Sequence, residues 1–303
     1  MDGDDTEPRP VPCGICGGRT RPAFATRDHN RRLTDAEFRY VRCDQCGTIA
    51  LRDVPGDLAA FYTGDYYRLP GSRAELLASV GPAEWEKLSL VRRFVPGGRL
   101  LEIGPAAGAF LAVALDAGFE VEAIEMDEAC CRFLEAELGV RVRRSDDPPA
   151  ALADGKRFDA IVLWHVIEHV RDPAAVISAV AEALAPGGVA VLGSPNPLSL
   201  ELRVLRSRWA HVDAPRHVHL LPARVLVRLG ARAGLEPVLQ TTNGPGALDY
   251  ARCGWCDSLT NTARRRASFR VRRGVGAALV RLGAPVERRL DRGPAYTLVL
   301  RRG

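Results

Sequence analysis

Residues 99–111 decide the fold of this chain, and they read Arg-Leu-Leu-Glu-Ile-Gly-Pro-Ala-Ala-Gly-Ala-Phe-Leu. A short apolar run leads into an acid, a turn bracketed by Gly104 and Gly108, and a second apolar run. Glycines in such a turn let a nucleotide-like ligand approach the end of a strand closely. A nicotinamide-type loop would need a second glycine where this chain has Ala106. The stretch predicts a strand, a cofactor turn and a helix, although a turn that only packs strand against helix also fits.

The chain continues as strands that alternate with helices. Further strands are predicted at 119–125, 140–143, 158–164, 189–193, 235–241 and 296–300. This alternation predicts a doubly wound α/β sheet, with a parallel core and ligands at the carboxyl ends of its strands. Glu125 ends the second strand, 21 residues after Gly104. Its carboxylate is therefore placed to accept hydrogen bonds from both ribose hydroxyls of an adenosine, and a solvated strand-end carboxylate is the alternative.

The pattern Glu102-x-Gly104-x-x-x-Gly108 resembles motif I of class I S-adenosylmethionine (SAM) methyltransferases. The turn Pro186-Gly187-Gly188 and the pair Pro195-Asn196 are further marks of that family. The resemblance implies a seven-stranded Rossmann-like sheet whose last strand inserts antiparallel, and it implies SAM as cofactor. It also implies an acid on the adenine amino group, for which Asp146 is favoured and Asp147 could serve equally. The predicted cofactor-binding residues are Glu102, Gly104, Gly108, Glu125, Met126, Asp146 and Trp164.

The fourth strand runs directly into His165-Val-Ile-Glu168-His169-Val-Arg-Asp-Pro. As a bare pattern this is the H-x-x-E-H of inverted zinc proteases, but that site needs a helix to present both histidines. The segment instead resembles the V-L-E-H-V-x-D-P stretch of small-molecule methyltransferases, which implies that it faces the methionine moiety and the substrate. His165, Glu168 and His169 are then candidates for a general base, or for holding a divalent cation as some quinone-type relatives do. Bracing of the following helix is the structural alternative.

Residues 209–220 gather three histidines, an acid and an arginine. The segment resembles the D-x-P-R-H-x-x-x-F stretch of methyltransferases that carry a zinc ribbon, with Leu221 at the aromatic position. Asp213, Arg216 and His217 are therefore candidates for binding a substrate or removing its proton. A second metal site and a purely structural loop are the alternatives. The predicted catalytic residues are His165 and His217, supported by Glu168, His169 and Asp213.

Two C-x-x-C-G turns precede the sheet, at Cys13–Cys16 and Cys43–Cys46. Each turn aims two thiolates at one point, so the pair predicts a tetrahedral four-cysteine site of the structural zinc type. A redox dithiol is the alternative, but neither turn stands between a strand and a helix as in thioredoxin-like proteins. Cys253 and Cys256 have no matching second pair, and they are either redox-active or packed in the interior.

We expect a zinc ribbon at 1–53, a helical connector at 54–96 and a SAM-binding domain at 97–303, with a substrate-side insertion at about 198–222. Within the connector, residues 73–94 predict one helix. The aromatic cluster at 61–67 lies either at a substrate entrance or between domains. The Arg-rich segment 264–289 predicts an amphipathic helix that covers the sheet or an oligomer partner, and a membrane-surface helix is the alternative.

The chain has 303 residues and a formal charge of +5, and only two of its 42 basic residues are lysines. Such an arginine bias is weak evidence for phosphate binding. Few aromatic residues are interleaved with the arginines of the ribbon, which argues against nucleic acid as the partner. No apolar run is long enough to span a membrane and no signal peptide precedes the ribbon, so we expect a cytoplasmic protein.

Together these features predict a SAM-dependent methyltransferase that acts on a small molecule, at a hydroxyl of a sugar or secondary metabolite. An RNA-modifying methyltransferase that grips its substrate with the ribbon is one alternative, and a non-methylating SAM-fold protein is another. The oligomeric state and the choice among O, N and C as methyl acceptor stay open.

Overall fold

A computed structural model of the chain describes residues 11–63, 66–244, 247–261 and 266–303, and it excludes the side chains of 247–253 and 266–269. The first ten residues, two residues of the aromatic cluster (Gly64 and Asp65), Arg264 and the side chain of Cys253 lie outside this description. The strands are β1 Thr20–Thr26, β2 Phe38–Cys43, β3 Ile49–Leu51, β4 Arg99–Ile103, β5 Glu120–Glu125, β6 Arg141–Arg144, β7 Phe158–Trp164, β8 Leu184–Pro195, β9 His219–Leu220, β10 Leu235–Thr241 and β11 Ala295–Arg302. The helices are α1 Arg73–Ser79, α2 Pro82–Arg92, α3 Ala109–Asp116, α4 Glu128–Leu138, α5 Pro148–Leu152, α6 Pro173–Ala183, α7 Leu200–Leu205, α8 Ala223–Arg232, α9 Ala247–Thr260 and α10 Arg266–Leu290.

Seven strands form one sheet in the order β10-β11-β8-β7-β4-β5-β6. The five strands from β8 to β6 run parallel, and β11 lies antiparallel between β8 and β10. The predicted seven-stranded α/β sheet is therefore confirmed. The strand order reverses direction at β4, whose neighbours are β5 and β7. Ligands of doubly wound sheets bind outside the strand ends at such a reversal.

The predicted single helix at 73–94 is wrong, because the chain forms α1 and α2 with a break between them. Val80 is extended there, with ψ 120°, and Pro82 occupies the first turn of α2. A proline lacks the amide donor that a continuous helix needs, and it disfavours helical backbone in the residue before it.

A smaller sheet has the order β1-β2-β3-β9. Its first three strands belong to the segment 11–53, which we call the ribbon, whereas β9 comes from the segment 198–222, which we call the insertion. Ile49 pairs with Leu220, and the amide of Leu51 donates to the carbonyl of Val218 at 2.8 Å. Tyr40 of the ribbon and Trp209 of the insertion are buried in one shared apolar cluster. The ribbon and the insertion therefore share a sheet and a core.

The C-terminal helices α9 and α10 pack against each other at a close approach. A Cβ atom on Gly276 would lie 2.8 Å from Cα of Cys256, so only glycine fits this contact. The predicted apolar side of α10 does not cover the sheet, because Val271, Val275 and Leu282 are exposed. None of the helices in the described part of the chain is both long enough and apolar enough to span a bilayer.

Candidate active site and four-cysteine cluster

A cavity of about 790 Å³ opens at the carboxyl ends of β4, β5 and β7. Its volume lies within the range of small-molecule sites, which is roughly 300–1,000 Å³. Residues of the connector, three tyrosines among them, form one part of its wall, and the ends of the parallel strands with the segments that follow them form the other. The wall includes Tyr62, Tyr66, Tyr67, Gly104, Ala106, Glu125, Met126, Asp146, Asp147, Trp164, His165 and His169.

Glu125 ends β5 on the cavity wall, and its carboxylate is fixed by backbone amides. It accepts hydrogen bonds from the amides of Ala106 at 3.0 Å, Met126 at 2.7 Å and Asp127 at 2.8 Å. Burial raises the pKa of this carboxyl, and the three amide hydrogen bonds oppose that shift. Carboxylate oxygens have room for further donors, so Glu125 is oriented to bind hydroxyl groups inside the cavity.

The two glycines of the turn after β4 have different surroundings. Gly104 lies on the cavity wall with φ +70°, and a Cβ atom there would lie 2.7 Å from Cγ2 of Val166. Gly108 has φ +78° and lies off the wall, where a Cβ atom would collide with Leu134 of α4. Glu102 is buried within β4 and is also off the wall, and burial raises the pKa of its carboxyl. A role of Glu102 and Gly108 in cofactor binding stays a prediction.

The other predicted cofactor residues line the cavity. Met126 is partly exposed on the wall, next to Glu125. Asp147 accepts the amide of Ala150 at 3.2 Å and so caps α5, which favours Asp146 as the acid available to a ligand.

His165 follows β7 on the cavity wall, with φ +59°. Its Nδ1 lies 3.4 Å from Oε1 of Glu168, a carboxylate with no exposed surface. Burial lowers the pKa of His165, so its imidazole is neutral near pH 7. Burial acts to raise the pKa of Glu168, but its contact with His165 and its nearness to His217 and His169 outweigh it and lower the pKa to about 2. The pair is a neutral imidazole held beside a buried carboxylate.

His169 on the cavity wall and His217 behind it form a second pair, with ring centres 4.6 Å apart. Nδ1 of His169 lies 3.1 Å from the carbonyl oxygen of Arg216, and Nδ1 of His217 lies 2.8 Å from that of His211. A carbonyl oxygen only accepts, so Nδ1 of His217 carries a proton, whereas Nδ1 of His169 lies between the Arg216 carbonyl and the Tyr62 hydroxyl, which is 2.8 Å away. Burial and the neighbouring His217 lower the pKa of His169 to about 4.

Glu168 joins this pair, and ligand atoms of Glu168, His169 and His217 lie within 4.8 Å of one another. Imidazole nitrogens and a carboxylate this close together can share a proton or a cation. Two imidazoles and one carboxylate are a ligand set that transition-metal ions accept, so these residues could hold a divalent metal. His217 itself is off the cavity wall and reaches it only through His169.

Arg216 is fully buried between two carboxylates. Its guanidinium group donates to Asp213 at 2.9 and 2.7 Å and to Asp28 of the ribbon at 2.7 Å. Burial acts to raise the pKa of Asp213, but the hydrogen bonds from Arg216 outweigh it and lower the pKa to about 2. Asp213 is thus an ion-pair partner off the cavity wall, and its predicted support of catalysis stays a prediction.

The four cysteines of the ribbon converge as predicted, with all four sulfur atoms within 4.8 Å of one another. Sγ atoms of Cys13 and Cys46 are 3.7 Å apart, and those of Cys16 and Cys43 are 3.5 Å apart. A tetrahedron of thiolates at about 2.3 Å from a zinc ion has edges of roughly 3.8 Å, so the cluster fits a closed structural site.

The similarity of the chain to known proteins identifies its family. A family model described as a methyltransferase domain matches residues 82–240, which is more than half of the chain. The chain belongs to this methyltransferase family. The matched segment runs from α2 to all but the last residue of β10, so it includes Glu125 and the three histidines of the site, whereas the tyrosines of the cavity wall precede it.

Curated relatives of this methyltransferase include the ubiquinone biosynthesis O-methyltransferase of Cereibacter sphaeroides. It is 30% identical over 152 residues, which is 47% of this chain and 62% of that protein. The protein of the same name from Alkalilimnicola ehrlichii is 27% identical over 157 residues, or 50% of this chain and 64% of that protein. The chain thus spans just over three fifths of these relatives. The crystal structure of coclaurine N-methyltransferase bound to N-methylheliamine and SAH has a TM-score of 0.50 at 13% identity, covering 73% of this chain and 71% of that one, which shows a shared fold.

Two parts of the site were not predicted from the sequence. The tyrosines were assigned either to a substrate entrance or to a contact between domains, whereas Tyr62, Tyr66 and Tyr67 line the cavity and the Tyr62 hydroxyl lies 2.8 Å from Nδ1 of His169. Asp28 was not predicted at all, because it lies 188 residues before its partner Arg216. The available signal was a single acid within the arginine-rich run at 27–32.

Proposed function

We propose that this chain is a SAM-dependent methyltransferase that transfers a methyl group to a hydroxyl group of a small molecule. One observation carries the proposal: the carboxylate of Glu125 and the imidazole of His165 open onto the same cavity. The first is oriented to bind ribose hydroxyls, and the second is a neutral base beside a buried carboxylate.

The cavity wall fits SAM in its chemistry. Glu125 would accept hydrogen bonds from the ribose hydroxyls, Asp146 would accept one from the adenine amino group, and Met126 would pack on the ring. Gly104 leaves the strand end without a Cβ atom at the point of approach. When bound, SAM supplies an electrophilic methyl group on a sulfonium centre.

His165 would remove the proton of the acceptor hydroxyl. A histidine with a lowered pKa is neutral at pH 7 and can accept a proton at Nε2, while Nδ1 faces Glu168. The carboxylate of Glu168 would then stabilise the imidazolium that forms, as an orienting acid does in other histidine-based sites. The chain's remaining contribution is to align the acceptor with the methyl donor. Good alignment in an intramolecular reaction can lower the activation barrier by about 7–11 kcal/mol.

The wall also supports an organic acceptor of modest size. Tyr62, Tyr66 and Tyr67 give it an aromatic side, and burial raises the pKa of Tyr66 to about 12, so its hydroxyl stays protonated. The relatives named as ubiquinone biosynthesis O-methyltransferases support oxygen as the methyl acceptor. We propose a sugar or secondary metabolite as the class of acceptor.

We further propose that Cys13, Cys16, Cys43 and Cys46 hold a structural zinc ion. The sulfur distances support this assignment. All seven cysteines whose side chains are described are thiols outside any disulfide, which supports a reducing compartment such as the cytoplasm.

Methyl transfer is tested by incubating the protein with SAM labelled on its methyl group and a panel of phenols, catechols and nucleotide sugars. We expect labelled product and S-adenosylhomocysteine with at least one hydroxyl acceptor, and neither with His165→Ala. SAM binding without transfer across the panel would contradict the proposal and favour a non-methylating protein. Transfer to RNA with steep salt dependence would favour the RNA-modifying alternative.

A further inference from the structure

Helix α10 presents three faces with different chemistry. Gly276 and Glu287 lie on the face that packs inward, and both are buried. Val271, Val275, Leu282 and Val286 lie within about 60° of one another around the axis, at 100° per residue. We call these four residues the apolar stripe. They are 46% to 73% exposed, so no described part of the chain covers them.

Arginines form the third face. Arg270, Arg281 and Arg288 recur at spacings of 11 and 7 residues, about 120° around the axis from the apolar stripe. We call them the arginine ridge, and all three are exposed. The only acid in this helix is Glu287, which is buried on the inward face. The outer surface of α10 is thus apolar and strongly positive.

The positive charge of this surface indicates which kind of partner it binds. A second copy of the chain, docked through the stripe about a twofold axis, would cover the apolar residues but leave both arginine ridges without an acid of this helix opposite them. The surface of a bilayer that contains anionic phospholipids supplies both requirements: an apolar layer for the stripe, and phosphate groups for guanidinium groups that extend from the helix sides.

We propose that α10 binds the surface of anionic phospholipid membranes, with the apolar stripe inserted among the lipids and the arginine ridge on their phosphates. The helix lies in the plane of the interface and does not cross the bilayer. The binding uses no residue of the cavity, so it stands independently of the proposed chemistry.

Co-sedimentation of the full chain with vesicles tests this proposal. One vesicle type contains phosphatidylcholine alone, and the other contains phosphatidylcholine mixed with phosphatidylglycerol. We expect binding to the mixed vesicles only, with a decline as salt screens the arginines. Val271→Asp combined with Leu282→Asp should reduce the bound fraction at least about tenfold, and so should Arg281→Glu combined with Arg288→Glu.

Two matched controls separate the surface from general effects of charge. Val204→Asp alters an exposed valine of α7, and Arg132→Glu alters an exposed arginine of α4. Both should bind mixed vesicles like the wild type. Circular dichroism of each variant confirms that the fold is retained.

Three outcomes would overturn the proposal. The first is no binding to the mixed vesicles at low salt, and the second is equal binding to both vesicle types. The third is a dimer in analytical ultracentrifugation that Leu282→Asp dissociates, which would identify the stripe as an interface between copies of the chain.

Discussion

The carbonyl oxygen of Arg216 lies 3.1 Å from Nδ1 of His169, while the side chain of the same arginine pairs with Asp28 of the ribbon. The backbone of one buried residue thus contacts a histidine on the cavity wall, while its side chain is held by the ribbon. The amide of His219 also donates to the carbonyl of Glu168 at 3.0 Å, which ties the insertion to the end of β7. The histidine cluster depends on the ribbon for its position.

Replacing Asp28 should therefore lower the stability of the folded protein. Asp28→Asn leaves the fully buried Arg216 with one of its two carboxylates, and we expect the free energy of unfolding to fall by about 3 kcal/mol. Urea denaturation measures the change. The matched control is Glu37→Gln, which removes an exposed ribbon partner of Arg39 and should cost less than about 1 kcal/mol. Equal losses of unfolding free energy in the two variants would show that the buried ion pair stabilises the protein no more than the exposed one.

Glu125→Ala should weaken SAM binding about 10- to 100-fold, because the hydrogen bonds from two hydroxyls to a carboxylate are lost. Isothermal titration calorimetry with SAM measures this effect. Glu120→Ala changes an exposed acid at the start of the same strand and should leave the affinity unchanged. An affinity of Glu125→Ala that equals the wild-type value would remove Glu125 from the cofactor site.

His165→Ala should lower kcat about 10²- to 10⁴-fold with little change in SAM affinity, because a general base acts on the acceptor. Since burial lowers the pKa of His165, the rate of the wild-type enzyme should be level at neutral pH and fall only on acidification below the ordinary value of 6.5. The control is His29→Gln, a half-buried ribbon histidine away from the cavity. A pH profile that is the same in His165→Ala and the wild type would contradict the assignment.

Cys13→Ser should remove the bound zinc, and with it the stability of the ribbon, because metal binding and folding are coupled in small metal-held sheets. Metal analysis of the purified protein should change from about one zinc ion per chain to none, and thermal unfolding should begin earlier. Cys256→Ser, which alters a thiol of α9 outside the four-cysteine cluster, should keep the metal. Wild-type protein that is purified under reducing conditions without metal would defeat the assignment.

Glu201 should make stability fall as pH rises. Burial raises the pKa of Glu201 to about 9 from 4.5, although the indole of Trp209 donates to its carboxylate at 2.7 Å. The folded chain therefore holds a proton that the unfolded chain releases above pH 4.5, so stability is greatest below that pH and declines up to about 9. Glu201→Gln keeps an acceptor for Trp209 without the charge. It should raise Tm at about pH 8 and not at about pH 4, and the opposite order would refute this account.

Local patterns in the sequence located most of the fold. The predicted strands at 158–164 and 235–241 match β7 and β10 to the residue, because the apolar run of β7 and the glycine that precedes β10 are readable without partners. The approach of Glu125 to the cofactor turn also followed from topology, since carboxyl ends of neighbouring parallel strands meet at one edge. The break between α1 and α2 was readable from Gly81-Pro82 and was missed.

Contacts between distant segments were not readable from the sequence. Tyr62 meets His169 across 107 residues, and Arg216 meets Asp28 across 188. No local spacing encodes such pairs, because they arise only when the ribbon and the insertion pack together. For the same reason the cluster at 209–220 resembled an accessible polar loop, although Arg216, His217 and His219 are buried.

The pairing of β3 with β9 limits how this protein can be divided or recombined. A shortened chain that begins after the ribbon would expose the edge of β9, the apolar partners of Trp209 and the charge of Arg216 that Asp28 neutralises. A chimera that exchanges the ribbon alone would mismatch the same three elements. Residues 11–53 and 198–222 therefore form one structural unit, and a chimera between relatives should exchange both segments together.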